Sequence, residues 1–157
     1  RIALGGMLYL GFTSNIILEF SMNYYLYLIA PFITWFICGV IKFAVNCIKE
    51  RRFAFDLIGY GGMPSNHSAI VSSMASLIAF KEGINTAAFG VALTLAFIVI
   101  LDANSLRKQI GKHAKVINHL EYYQGDKLRE RIGHSKLEIL TGIILGSCVG
   151  FILGLFK

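Results

Sequence analysis

Two short stretches hold the residues best able to do chemistry: GGMPSNHSA at 61–69 and GHSKLEILTG at 133–142. Each sets a histidine, His67 or His134, beside features that bind anions, in a chain with four histidines in all. In the first stretch, Gly61 and Gly62 permit unusual backbone angles and the close approach of a ligand. Pro64 suits the first turn of a helix, and Ser65 suits a cap ahead of an apolar run. His67 then falls in the first turn, where free N–H groups and the helix dipole favour an anion and the imidazole can donate a proton. The plainer alternative is a Gly-Gly turn capping a membrane helix, with an incidental interfacial histidine.

In the second stretch His134 and Glu138 stand one helical turn apart. The carboxylate can hold one imidazole nitrogen and leave the other as a nucleophile. The same spacing also serves a surface pair or two metal ligands. Taken together, the two stretches point to phosphoryl chemistry at a membrane face.

That chemistry needs positive charge around the transferring group. Lys42 is one candidate, because an ammonium inside an apolar span is costly and usually has a purpose. The alternative is that it snorkels to the interface. Arg51 and Arg52 follow on the same side, and Arg107 stands just after a later apolar run. Arginine suits phosphate because its planar fork donates two parallel hydrogen bonds. Lys108, Lys112, Lys115 and Lys127 are read as topology determinants that touch anionic lipid.

The elements that must position these residues are helices built for lipid. The chain has 157 residues, 55% of them hydrophobic, which fits one membrane domain over 1–157 rather than a soluble one. Residues 24–48 carry a single charge, Lys42, and are long enough to cross a hydrocarbon core of about 30 Å. The expected fold is all-α, a polytopic bundle of about five spans near 2–20, 24–48, 67–80, 84–101 and 137–156. The third span is short, rich in Ser and Ala, and expected to be partly buried among the others. No small-residue cleavage site follows an early apolar run, so none of these segments is expected to be a cleaved signal. Cys38, Cys47 and Cys148 lie in or beside apolar segments and read as buried apolar residues, not as a disulfide framework.

Five spans put Arg1, the 49–66 loop and the 102–136 loop on one side. That side holds Arg1, Lys49, Arg51, Arg52 and eight basic residues between Arg107 and Lys136, against Lys81 and Lys157 on the other. Positive residues stay inside, so both histidine loops are expected to face the cytoplasm. Within 102–136, Leu106, Ile110, Ala114, Ile117 and Leu120 recur at helical spacing. This fits an amphipathic helix in the membrane interface, with a solvated helix hairpin as the alternative. On the last span His134, Glu138, Gly142, Gly146, Gly150 and Gly154 follow one another at intervals of four, forming one row where another helix can approach closely. Ala88, Ala92 and Ala96 make a similar row on the preceding span. Two copies joining through the glycine row is a further arrangement the sequence permits.

PSNH at 64–67 and HSKLE at 134–138, followed by Gly142 and Gly146, resemble the type 2 phosphatidic acid phosphatase superfamily. Bacterial acid phosphatases and vanadium haloperoxidases belong to the same superfamily. The fuller pattern, GGMPSNHSA, DANSLRKQIGKHA and GHSKLEILTG, is more similar to its divergent membrane branch, described as acid phosphatase/vanadium-dependent haloperoxidase-related. The resemblance covers the chain from about Lys42 onward. It implies that Lys42 with Arg51 or Arg52 binds phosphate, that Ser65 and the nearby backbone grip it, and that His67 protonates the leaving group. It further implies that His134 is the nucleophile and Glu138 the residue that orients it. Asn66 stands where the superfamily has glycine, and Glu138 where it has aspartate. Leu128 stands six residues before His134, where an arginine is usual, and Arg107 is taken as the substitute.

The expected activity is therefore a metal-independent membrane phosphatase with no cofactor. Its substrate would be a phosphorylated lipid or a small phosphate ester, cleaved through phosphohistidine. The competing reading is a non-catalytic protein that binds or moves an anionic lipid with the same pocket. Peroxidase chemistry on a held vanadate has nothing in the sequence to favour it. A zinc site from His113, His119 and His134 lacks convergent spacing. No nucleic-acid partner is expected.

Overall fold

The structure is a computed structural model that describes residues 2–55, 62–120, 122, 125–130 and 132–156, with side chains from Tyr25 onward. The described residues form five helices and no strand: α1 (Ile2–Glu50), α2 (Asn66–Lys81), α3 (Ala87–Asn104), α4 (Leu106–Asn118) and α5 (Lys136–Leu155). The all-helical membrane architecture expected from the sequence is the one observed.

The division into spans differs. The expected break between 2–20 and 24–48 is absent, because α1 runs unbroken for 49 residues with Pro31 inside it. Between Phe20 and Tyr24 the chain offers no glycine or proline to stop a helix. Among the described residues three helical stretches are long and apolar enough to cross a membrane: Tyr25–Glu50, the run Ala87–Asn118 that includes α4, and Lys136–Leu155. α2 has 16 residues, about 24 Å of helix, and sits inside the bundle with Ser68, Ala69, Ser72, Ser73, Leu77 and Ile78 buried.

Size is sorted the opposite way from a water-soluble domain. Buried positions go to small residues such as Ala30, Cys38, Ala69, Ala92 and Ala96, while Trp35, Phe36, Val91, Phe97 and Phe151 are exposed. Large apolar side chains facing outward suit a lipid solvent, and small ones inward let helices close up. Of the alanine row on α3, Ala92 and Ala96 are buried and Ala88 is exposed.

The tightest junction is α2 against α5. A Cβ at Gly142 would lie 2.5 Å from the Ser65 carbonyl oxygen, and Cβ atoms at Gly146 and Gly150 would run into the backbones of Ala69 and Ser73. The glycine row is thus filled by a helix of the same chain. At the far end Lys81 Nζ donates to the Phe156 carbonyl at 2.5 Å. At the near end Ser65 N–H donates to the Glu138 carbonyl at 2.9 Å, and His134 N–H to the Ala103 carbonyl at 3.0 Å. The start of α2, the end of α3 and the start of α5 therefore meet at one end of the bundle.

Candidate active site

The first histidine is set by a turn and a cap. Gly62 has φ 139°, a conformation that favours glycine, and its α-carbon face lies against Asn46 of α1. Gly61 lies outside the described residues. Pro64 sits just ahead of the cap, not in the first turn as expected, because α2 begins at Asn66. Ser65 is the N-cap, accepting from Ser68 N–H at 3.4 Å and from the Ser68 hydroxyl at 3.1 Å. It is fully buried, and its hydroxyl oxygen serves the helix end. His67 occupies the first turn, as the cap requires.

The second histidine arrives by another glycine. Gly133 has φ 96° and packs on the first turn of α4, where an added Cβ would lie 2.9 Å from the Lys108 backbone nitrogen. His134 follows and is buried, and Ser135 caps α5 in a reciprocal capping box with Glu138. One oxygen of Glu138, Oε2, accepts from Ser135 N–H at 3.0 Å and lies 3.1 Å from His134 Nδ1. An ionised carboxylate only accepts, so Nδ1 carries the proton and Nε2 keeps its lone pair. The two imidazoles face each other with centroids 6.3 Å apart and planes at 55°.

Two basic side chains act on the pair. Lys42, at 9% exposure, lies on α1 one turn beyond Cys38, whose thiol is 3.8 Å from the Pro64 carbonyl oxygen. Its charge acts on Glu138 and on both imidazoles. Arg107 also acts on both imidazoles, and its Nε is held at 2.8 Å by Asp102 Oδ2 across the junction of α3 and α4. Arg51 and Arg52 follow α1 as exposed residues, Arg51 with φ 51°. Asn66 Oδ1 is buried and, among the described residues, has no hydrogen-bond partner. An unsatisfied buried acceptor beside His67 is a place where a ligand hydroxyl or water would be welcome.

Burial pushes the His134 imidazole below its usual range; the Glu138 hydrogen bond pulls it back up, and Lys42 and Arg107 push it further down. Below-normal basicity keeps this ring neutral near pH 7, the form that can attack phosphorus. Among the described residues, no three His, Cys, Asp or Glu side chains gather where a metal could bind.

One set of site-building residues is invisible to the motif reading. Arg107, Gly111, Ala114 and Asn118 share one edge of α4, and Leu128, Glu130, Ile132 and Gly133 of the returning chain lie along it. Asn118 acts as a clamp: its amide nitrogen donates to the Leu128 carbonyl at 2.8 Å and to Glu130 Oε1 at 2.9 Å, and its oxygen accepts from Leu128 N–H at 2.8 Å. A Cβ at Gly111 would lie 2.5 Å from the Glu130 carbonyl oxygen. The sequence placed Ala114 in the apolar stripe, but it is buried with Gly111 on this inner edge. Spacing of four, three and four from Arg107 to Asn118 was the available signal. Asp102 was missed as well, although it lies five residues before Arg107.

The fold defines an integral membrane protein whose helix ends converge on two imidazoles and two cations. Residues 24–149 match the model of the Divergent PAP2 family, and the chain belongs to that family. It is 30% identical over 136 residues to the uncharacterized membrane protein YuiD of Bacillus subtilis (strain 168), covering 74% of this chain and 86% of that protein. No solved structure matches it.

Proposed function

We propose that the protein is a phosphatase that removes phosphate from a phosphomonoester or diphosphate, with a membrane lipid as the carrier. His134 Nε2 attacks phosphorus, so a P–N bond forms as the P–O bond to the leaving group breaks. His67, protonated below a pKa that burial also lowers, gives its proton to the departing oxygen. Water then attacks the phosphohistidine, passing a proton to His67, and the P–N bond breaks to release inorganic phosphate. Glu138 holds the His134 tautomer, while Lys42 and Arg107 offset the charge on the equatorial oxygens. The excess of Lys and Arg beside this site supports a cytoplasmic face for it.

The observation that carries the reading is the 6.3 Å separation of the His67 and His134 rings, with both under the influence of Lys42 and Arg107. That gap accommodates one phosphoryl group between a nucleophile and an acid. Purified protein offered phosphatidic acid, isoprenoid phosphates and soluble phosphomonoesters, without added metal, is expected to release phosphate. His134→Ala and His67→Ala are each expected to abolish release. Retention of an anionic lipid with no release by the wild type would instead make the pocket a binding site.

A further inference from the structure

α4 begins one residue beyond the apolar helix α3. α3 ends at Asn104, Ser105 separates the two helices with φ −106° and ψ −75°, and α4 starts at Leu106. The inner edge of α4 is taken by the returning segment. A second edge carries Lys108, Lys112 and Lys115, which with Gly111, Glu130 and Ile132 line an open groove of about 330 Å³. The remaining edge holds Leu106 and Ile110 and continues to Leu120 just past the helix, at 58%, 44% and 56% exposure. Among the described residues nothing covers it.

We infer that α4 lies in the plane of the membrane interface, its Leu106–Ile110 edge in the acyl boundary and its lysine edge toward headgroups and water, docked on an anionic bilayer surface. Separation of apolar and basic edges on one short helix is the pattern of interfacial helices, and the long lysine stems reach neighbouring headgroup phosphates. Cover by a second copy is the outcome that shielding from both quenchers, in the experiment below, would reveal. The placement has a consequence for the site. Arg107 leaves the same helix, and His134 N–H is tied to Ala103 at the junction of α3 and α4. An α4 seated in the interface holds both at the depth of lipid phosphates.

Fluorescence reads this depth without any assay of activity. The chain has one tryptophan, so Trp35→Phe gives a silent background for Ile110→Trp, Leu106→Trp or Lys112→Trp. Each variant is reconstituted in phosphatidylcholine/phosphatidylglycerol vesicles with and without brominated acyl chains, after its unfolding temperature confirms that it is folded. The new indole in Ile110→Trp and Leu106→Trp is expected to be quenched by brominated lipid about twofold or more beyond that in Lys112→Trp, which stays open to aqueous acrylamide. An indole at 110 open to acrylamide and untouched by bromine would place α4 in water. One shielded from both quenchers would mean that protein covers the edge. Either result overturns the inference.

Discussion

The backbone N–H of Ser65 donates to the carbonyl of Glu138 at 2.9 Å, joining the cap of one histidine motif to the first turn of the other. Ser65 stands two residues before His67, and Glu138 is the residue that holds His134. The register of α2 on α5 therefore sets the spacing of the two imidazoles, and the glycine row sets the register.

Filling that row is expected to separate the rings. Gly146→Ala puts a methyl into the Ala69 backbone, so it is expected to lower stability by about 1–3 kcal/mol. Gly39→Ala meets nothing within 4 Å and is expected to stay within about 0.5 kcal/mol of wild type. Unfolding temperatures in detergent distinguish the two; equal values would mean that α2 and α5 do not pack as described.

Asn118 is expected to matter for a site it does not touch. Asn118→Leu removes three hydrogen bonds to the returning segment and leaves the Leu128 backbone polar groups without those partners. A loss of about 1–3 kcal/mol follows from such unsatisfied groups. Faster proteolysis between 121 and 131 is the check, and unchanged cleavage would deny Asn118 its clamping role.

Charge at Arg107 should not be enough without its shape. Arg107→Lys keeps the charge but loses the planar fork that lets Asp102 hold Nε while other N–H groups face a ligand. Phosphate release is expected to fall about 100-fold or more. Activity near wild type in Arg107→Lys would remove Arg107 from the charge-stabilising set.

The pH dependence has a definite sign. Burial lowers the His134 pKa, so the acid limb reporting its deprotonation should fall below the ordinary imidazole value of about 6.5. In Glu138→Gln the hydrogen bond that raises the pKa is weakened, so the limb should move lower still while the rate drops. Stability follows the same direction: with the folded pKa depressed, His134's contribution is whole above the unfolded value and is lost as pH falls toward the folded one. A limb that moves upward in Glu138→Gln would reverse the assigned role of the carboxylate.

How much of this was legible in the sequence depended on the range of each signal. Local patterns read well: the cap at Ser65, the His134–Glu138 pair and the fourfold glycine spacing all act within a few residues, whereas the Ser135 cap went unread. The break near residue 22 was misread because two apolar runs with a short polar interval also fit one long helix. Lys42 lies on a buried face of α1, while Arg51 and Arg52 follow the helix end as exposed residues, a difference in setting that residue type alone does not carry. The role of Asn118 could not be read, since it depends on a segment ten residues away folding back along α4.

The central claim is that the rings of His67 and His134 work on one phosphoryl group. The most direct measurement is a rapid alkaline quench of the protein turning over a ³²P-labelled substrate, followed by mass spectrometric mapping of acid-labile phosphate. Label on His134, absent in His134→Ala, is the result the mechanism requires. Phosphate release with no label on His134, or label on another residue, would contradict it.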